Sequence, residues 1–359
     1  MKLSELYKEK NNFDFVRFVL ASLVLYSHFF YLYTGKQHSE NKGEIIYTLT
    51  NGQLDGGSLA VNMFFVISGF LITISWFNNP NVLSYIIKRL LRIIPGLNGV
   101  IIFVVFIISP SISNDFKLYF ENLSFFNIIQ DLINMTISIN TVQNIFSNLP
   151  ISTVNGSLWT LKYELYCYIM ILILGVSKLL NRYTVLIFFS IFFSIYVMQM
   201  YEIVELDRGI PIPRLFTFFL IGSIIYFFRD YIVLSKRYAI YSLVLLFISV
   251  ITGVVQLYII FGLSYLLFIF IYSRNIKFTN FAKYGDLSYG MYIYAFPLQQ
   301  LTLFLFKDIN FYLYMIVSFV LTIFMAWFSW HFIEKKSLKI SHNKKLKNYL
   351  KKLVTNVNK

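Results

Sequence analysis

Ten long apolar runs divide the chain, and no other feature limits its fold so sharply. They lie at about 13–33, 57–77, 93–109, 158–178, 183–201, 212–228, 238–253, 255–272, 286–306 and 311–332. A helix rises about 1.5 Å per residue, so a run of about 16 to 21 residues spans most or all of the ~30 Å hydrocarbon layer of a bilayer. Hydrophobic residues make up 57% of the 359 and charged residues only 13%, against about 45–50% and about 25% in soluble domains. The expected fold is all-α: a polytopic membrane protein of about ten transmembrane helices. The thinnest boundary separates the seventh and eighth runs, where Ile251-Thr252-Gly253 is the only break between Tyr238 and Tyr272. The first run is not expected to be a signal peptide: it is too long, and Tyr-Thr-Gly-Lys stands where a small-residue cleavage site belongs.

The formal charge of +14, from 31 basic and 17 acidic residues, would suggest a nucleic-acid partner if the charges were gathered on one soluble face. They follow the runs instead. Lys2, Lys8 and Lys10, then Lys88, Arg89 and Arg92, Lys178 and Arg182, Arg229, Lys236 and Arg237, Arg274, Lys277 and Lys283, and nine lysines from Lys335 to Lys359 all fall on one side. That side holds 23 basic residues; the other has Lys36, Lys42, Lys117, Arg208, Arg214 and Lys307, with ten carboxylates. The charge thus divides into about +18 on one side, about −4 on the other and zero within the membrane, the asymmetry of the positive-inside rule. Both termini are expected in the cytoplasm, and no nucleic-acid partner is expected. The layout is a cytoplasmic tail at 1–12, a ten-span membrane domain at 13–333 and a Lys-rich cytoplasmic tail at 334–359. The long external connection at about 110–157 is expected to carry a surface-lying helix around Phe116–Ile133. Cys167 is the only cysteine, so no disulfide framework or cysteine metal site forms within one chain, and no metal is expected.

Four charges fall well inside the runs: Asp14, Arg17, Lys162 and Glu164. Ionisable groups are costly in lipid and are candidates for function by default. Asp14 and Arg17, three residues apart, neutralise each other or snorkel in the plainer reading. His28 lies eleven residues beyond Arg17, ~16 Å along a helix and ~20° around it, so the two share a face. Glu164 follows Gly156-Ser157-Leu158-Trp159-Thr160-Leu161-Lys162-Tyr163 and is expected ~9 Å below the outer end of its span, with His28 ~8 Å below the end of its own. A carboxylate facing an imidazole holds its tautomer and stabilises its charged form, as a general base needs. In the plainer reading Glu164 pairs with Lys162 or a tyrosine hydroxyl for packing. Lys88, Arg89 and Arg92 open the third run. They read either as a topology signal or as an anion site for a phosphate-rich cofactor at a helix start.

Taken in order, these pieces resemble a known family. Arg17, ten residues and His28 are followed by Val61-Asn62-Met63-Phe64-Phe65-Val66-Ile67-Ser68-Gly69-Phe70-Leu71-Ile72, then Lys88-Arg89-x-x-Arg92-Ile93-x-Pro95 and Trp159-Thr160-Leu161-x-x-Glu164. Leu287-Ser288-Tyr289-Gly290-Met291-Tyr292-Ile293 and Ile333-Glu334-Lys335 come last. The set is similar to the acyltransferase-3 family of integral-membrane O-acyltransferases across about residues 10–340, with Phe-Phe-Val-x-Ser-Gly-Phe the most distinctive part. The resemblance implies transfer of an acyl group, usually acetyl, from cytoplasmic acyl-CoA to a sugar hydroxyl of a surface polysaccharide, a peptidoglycan precursor or a small glycoside. It implies a multi-pass protein of the bacterial cytoplasmic membrane. Two positions depart from the family pattern: Ala295 stands where many members have histidine, and Lys336 where proline usually follows Glu-Lys. Longer relatives carry an extracellular hydrolase-like domain, so transfer here is expected to finish within the membrane domain.

By position, His28, Arg17 and Glu164 are the expected catalytic residues. Arg89, Arg92, Lys88 and Ser68 are expected to bind acetyl-CoA, and Trp159, Arg214 and Tyr168 the acceptor. Direct transfer and an acyl-histidine intermediate both fit these residues. A transporter or flippase of a lipid-linked or small glycoside would also line a path with intramembrane charges, but the repeats and broken helices of many such folds are not evident. A scaffold without chemistry explains Arg17, His28 and Glu164 poorly.

Overall fold

The computed structural model describes residues 1–36, 43–203 and 211–341. Lys42, Arg208 and the tail lysines from Lys344 onward lie outside the described residues. In chain order the helices are α1 (Leu3–Leu6), α2 (Phe13–Thr34), α3 (Ile45–Leu49), α4 (Gly56–Asn78), α5 (Val82–Ile112), α6 (Phe116–Glu121), α7 (Phe125–Asn134), α8 (Leu158–Val176), α9 (Arg182–Met200), α10 (Ile212–Phe227), α11 (Lys236–Thr252), α12 (Val255–Ile271), α13 (Ser288–Leu305) and α14 (Phe311–Ile340). Among the described residues there is no strand, only an isolated bridge between Lys2 and Val233. The protein is an all-α multi-pass membrane protein. Among the described residues, six helices (α2, α4, α5, α8, α9 and α14) are long and apolar enough to cross a bilayer; α10 and α12 are shorter apolar helices, and α11 and α13, of 17 and 18 residues, fall on the remaining expected runs.

Local chemistry sets the ends of these elements. Asp55, Asn181, Ser235 and Asn310 precede α4, α9, α11 and α14 and accept hydrogen bonds from first-turn amides, each satisfying a donor that has no intrahelical partner. Gly253 ends α11 at φ +79°, a left-handed conformation that glycine adopts without strain. The single break expected between Tyr238 and Tyr272 is therefore where one helix stops and the next begins. α5, the helix of the third apolar run, departs from expectation. It starts at Val82, eleven residues before the apolar run, and carries Lys88, Arg89 and Arg92 in its second and third turns. Lysine and arginine are good helix formers, so a drop in hydropathy does not end the helix. α14 likewise continues past the expected end of its run, through a π turn at Trp330–Glu334.

The chain forms two compact units, one built from Met1–Leu20, Lys42–Val82 and Tyr163–Ala282, the other from Ala21–Asn41, Leu83–Lys162 and Lys283–Lys359. The division falls inside α2 and α8. In the first unit the backbones of α4 and α10 touch. A Cβ on Gly69 would lie 1.8 Å from the Phe219 carbonyl oxygen, and one on Gly222 2.0 Å from that of Val66. Thr73 and Ser223 hydrogen-bond across this seam at 2.9 Å. Small residues and hydroxyl pairs hold membrane helices together where lipid removes the hydrophobic drive. The amino-terminal segment belongs to the same unit: Leu3 and Ser4 donate to the Ile232 and Arg229 carbonyls, and the buried Asn12 amide donates to those of Phe270 and Ile276.

In the second unit, α13 and α14 pack with Gly290 against Ala326. The surface helix expected around Phe116–Ile133 is two helices, α6 and α7, broken at Asn122–Ser124. The buried Asp131 carboxylate closes the following loop, accepting from the Ser138 amide and the Thr141 hydroxyl. The segment 151–160 then runs against α13 in reverse order: Gln300 donates to the Ile151 and Thr153 carbonyls, Gly156 lies against Phe296, Asn155 donates to the Ile293 carbonyl and Thr160 bonds Tyr292. Pro297 has no N–H for the Ile293 carbonyl, which is why that oxygen is open to Asn155.

Candidate active site

α2 is one helix from Phe13 to Thr34, so the eleven-residue spacing from Arg17 to His28 translates into ~16 Å along a single element. Arg17 pairs with Asp14 one turn away, as the plainer reading of that pair expects. His28 is buried, 9% exposed, and its ring lies edge-on to Phe296, centroids 5.1 Å apart. Phe296 is itself backed by Gly156, where a Cβ would come within 2.5 Å of the ring. The second unit therefore places the imidazole in an apolar wall built by α2, α13 and the segment before α8.

In the first unit, Ser68 from α4 and Tyr168 from α8 both donate to Oε1 of Glu164, Ser68 at 3.4 Å. The tyrosine sits four residues after the glutamate on the same helix, the spacing that brings side chains together. Neither hydroxyl uses Oε2. Ser68 and Tyr168, read from the sequence as cofactor and acceptor residues, are here the two groups that orient Glu164. Cys167 is buried on the same helix.

Lys88, Arg89 and Arg92 follow one another on α5, but they are not at the helix start, so the free amides there contribute nothing to an anion site. Arg92 pairs with Asp286 at 3.0 Å and lies over the Tyr289 ring; Arg89 lies over Tyr85. Asp286 also accepts from the Ser288 amide. The π turn of α14 buries Glu334, whose Oε1 accepts from Ser329 at 2.8 Å. The cation read as a phosphate anchor thus already has a carboxylate partner. Trp159 stands half-buried in the turn that opens α8, and Arg214 stands half-buried in the first turn of α10.

Outside the spans, burial pushes the Glu44 carboxyl above its usual range although it accepts from the Tyr47 and Gly56 amides. Sequence reasoning did not single out Asp286, Phe296 or Gln299. For Gln299 a signal was available, because two adjacent amides in an apolar run are as anomalous as a charge. The partners of Asp286 and Phe296 lie too far along the chain for spacing to expose them.

The sequence model of a family described as an acyltransferase domain matches residues 10–331, nearly the whole described membrane region. The chain belongs to the acyltransferase-3 family. Among curated proteins, an O-acetyl transferase of Shigella phage Sf6 is 29% identical over 349 residues, covering 92% of this chain and 96% of the relative. Nodulation protein 10 of Rhizobium leguminosarum bv. viciae is 30% identical over 173 residues, 45% of this chain and 42% of that protein. No solved structure matches. The protein is therefore a multi-pass membrane acyltransferase, and the acyltransferase-3 domain is the membrane body itself.

Proposed function

We propose that the protein is an acyl-CoA-dependent O-acetyltransferase of the bacterial cytoplasmic membrane, moving an acetyl group from cytoplasmic acetyl-CoA to a sugar hydroxyl of a cell-surface polysaccharide or its lipid-linked precursor. The observation that carries this reading is the similarity to an O-acetyl transferase along almost the full length of both chains. The buried imidazole on the Arg17 helix supports it, since acyl transfer to an alcohol needs a base that is dry and fixed. Both termini face the cytoplasm in this reading.

Acetyl-CoA is a substrate here, and its phosphates need cations. Lys88 and Arg89 of α5 supply them, while Arg92 divides its charge with Asp286. The acceptor hydroxyl attacks the thioester carbonyl carbon and gives its proton to the ring of His28. The tetrahedral oxyanion collapses, the carbon–sulfur bond breaks, and the CoA thiolate takes the proton back from the imidazolium. Glu164, steadied by Ser68 and Tyr168, and Arg17 are the further catalytic residues of this reading. Trp159 and Arg214 are its acceptor residues.

Purified protein incubated with labelled acetyl-CoA and candidate glycans tests the reading. Wild type is expected to release CoA and label a glycan, and His28→Ala to lose this activity while reaching the membrane at normal levels. Full transfer by His28→Ala would overturn the role of the imidazole. Glycan movement across the membrane without any CoA release would overturn the enzyme reading and mark a transporter.

A further inference from the structure

The wall that holds His28 contains a polar group that the reaction scheme does not use. Gln299, on α13, is fully buried. Its Nε2 donates to the Leu25 carbonyl at 2.9 Å, and that bond fixes which end of the carboxamide is which, because the oxygen in its place would face another oxygen. Helical carbonyls point toward the residue four ahead, so the carboxamide meets α2 at the level of Phe29, next to His28. Three residues earlier on α13, Phe296 touches the His28 ring itself. Gln299 and Phe296 of α13 thus both hold the turn of α2 that carries His28.

The other end of the carboxamide is the anomaly. Oε1 is buried and has no hydrogen-bond partner among the described residues. Ser157 Oγ, beside the Gly156 that backs Phe296, is in the same condition. A buried polar oxygen without a partner is costly and rare in native proteins. Gln299 cannot relieve the cost by rotating without giving up its bond to α2. An oxygen of this kind calls for a donor beyond the described residues. A thioester and an acetyl group have none, whereas a sugar presents several hydroxyls. Gln299 is eleven residues beyond Ser288, ~16 Å along α13 and away from the end where Asp286 holds Arg92, so the phosphates of the donor belong elsewhere.

We propose that Gln299 is an acceptor-binding residue, whose carboxamide oxygen takes a hydrogen bond from a hydroxyl of the sugar that is acetylated at His28. The proposal rests on the reading of the protein as an O-acetyltransferase. A glutamine held this way selects for a polyhydroxylated acceptor, because an analogue lacking the bonded hydroxyl leaves Oε1 buried and unsatisfied.

The test uses the full-length protein in detergent with labelled acetyl-CoA and a panel of p-nitrophenyl glycosides together with their monodeoxy counterparts. Gln299→Met, which keeps the length of the side chain and removes its polar end, is expected to raise KM for the glycoside about ten- to a hundredfold and to leave KM for acetyl-CoA within about twofold. Wild type is expected to lose a similar factor on one deoxy glycoside, to which the variant is indifferent. This coupling is one that a merely structural glutamine would not produce. A rise in KM for acetyl-CoA instead would mean that an amide of the donor's arm is the occupant, and would overturn the proposal. Equal losses on parent and deoxy glycosides, or no change at all, would overturn it too. Should Gln299→Met not fold, Gln299→Asn, which withdraws the oxygen by one methylene, is read the same way. Absence of CoA release and labelling in wild type would instead defeat the transferase reading, and the proposal with it; that result is visible before any variant is made.

Discussion

Replacing Gly69 with alanine tests whether the Ser68-Gly69-Phe70 motif is built for packing. The added Cβ would sit 1.8 Å from the Phe219 carbonyl oxygen, about 1.6 Å short of the 3.4 Å at which ordinary contact begins. The obstacle is backbone, so no side chain can swing aside, and α4 and α10 must part by about that distance. Overpacking of this kind costs ~1–3 kcal/mol. Parting the helices also breaks the Thr73–Ser223 bond at 2.9 Å, a further ~0.6–1.7 kcal/mol in a membrane protein. Alanine returns up to ~1 kcal/mol through its better helix propensity, leaving a net loss of ~2 kcal/mol. Ser68 moves with α4, and its 3.4 Å bond to Glu164 is already at the limit of hydrogen bonding, so turnover should fall more than stability alone explains. Cys167 supplies the assay: it is the only cysteine in the chain and is buried in the same unit. A thiol-reactive dye added during a thermal ramp reports when that unit opens. Gly69→Ala should label at a clearly lower temperature than wild type, and an unchanged midpoint would refute the packing argument. Gly253→Ala, where a Cβ meets nothing within 4 Å, should cost only the ~1–2 kcal/mol of a left-handed residue.

Three further outcomes are expected. Arg89→Gln should raise KM for acetyl-CoA several-fold with turnover nearly intact; a fall in turnover alone would refute phosphate anchoring. Arg92→Gln should lower the thermal midpoint by removing the cation paired with Asp286, and Asp286→Asn in the same chain should restore part of it, because a buried charge that loses its ion-pair partner costs more than a pair removed together; an additive double variant would refute the pairing. Glu44 bears on pH. Its carboxyl is raised by burial in the folded state, so the stability it contributes is complete below the ordinary glutamate range and is lost as pH rises through the raised value. Glu44→Gln should flatten the pH dependence of the thermal midpoint across that window, and an unchanged slope there would refute the assignment.

The sequence exposed those features of the fold that are properties of composition. Apolar runs mark helices because lipid demands it over each whole segment, and Gly253 marks a break because few other residues adopt its conformation. The Asp14–Arg17 pair and a tyrosine partner for Glu164 were also legible, since both are one-turn neighbours on a single helix. The start of α5 was not, because Lys88, Arg89 and Arg92 lower hydropathy without disturbing the backbone. Ser68 and Glu164 lie 96 residues apart and Arg92 and Asp286 lie 194 apart, and no periodicity connects such pairs. The π turn that buries Glu334 adds a residue to the helical repeat, so projection on a regular wheel misplaces it.

The long connection between α5 and α8 is tied to its own unit at both ends. Asp131 knots the loop that follows α7, Gln143 holds it to the Tyr119 carbonyl, and the segment 151–160 is laced along α13. Sequence change between these ties leaves every membrane helix where it is. Exchanging residues 144–149 among relatives, with the buried Phe146 kept, should therefore yield folded chimeras, so this stretch can change while the membrane helices and the buried histidine stay in place.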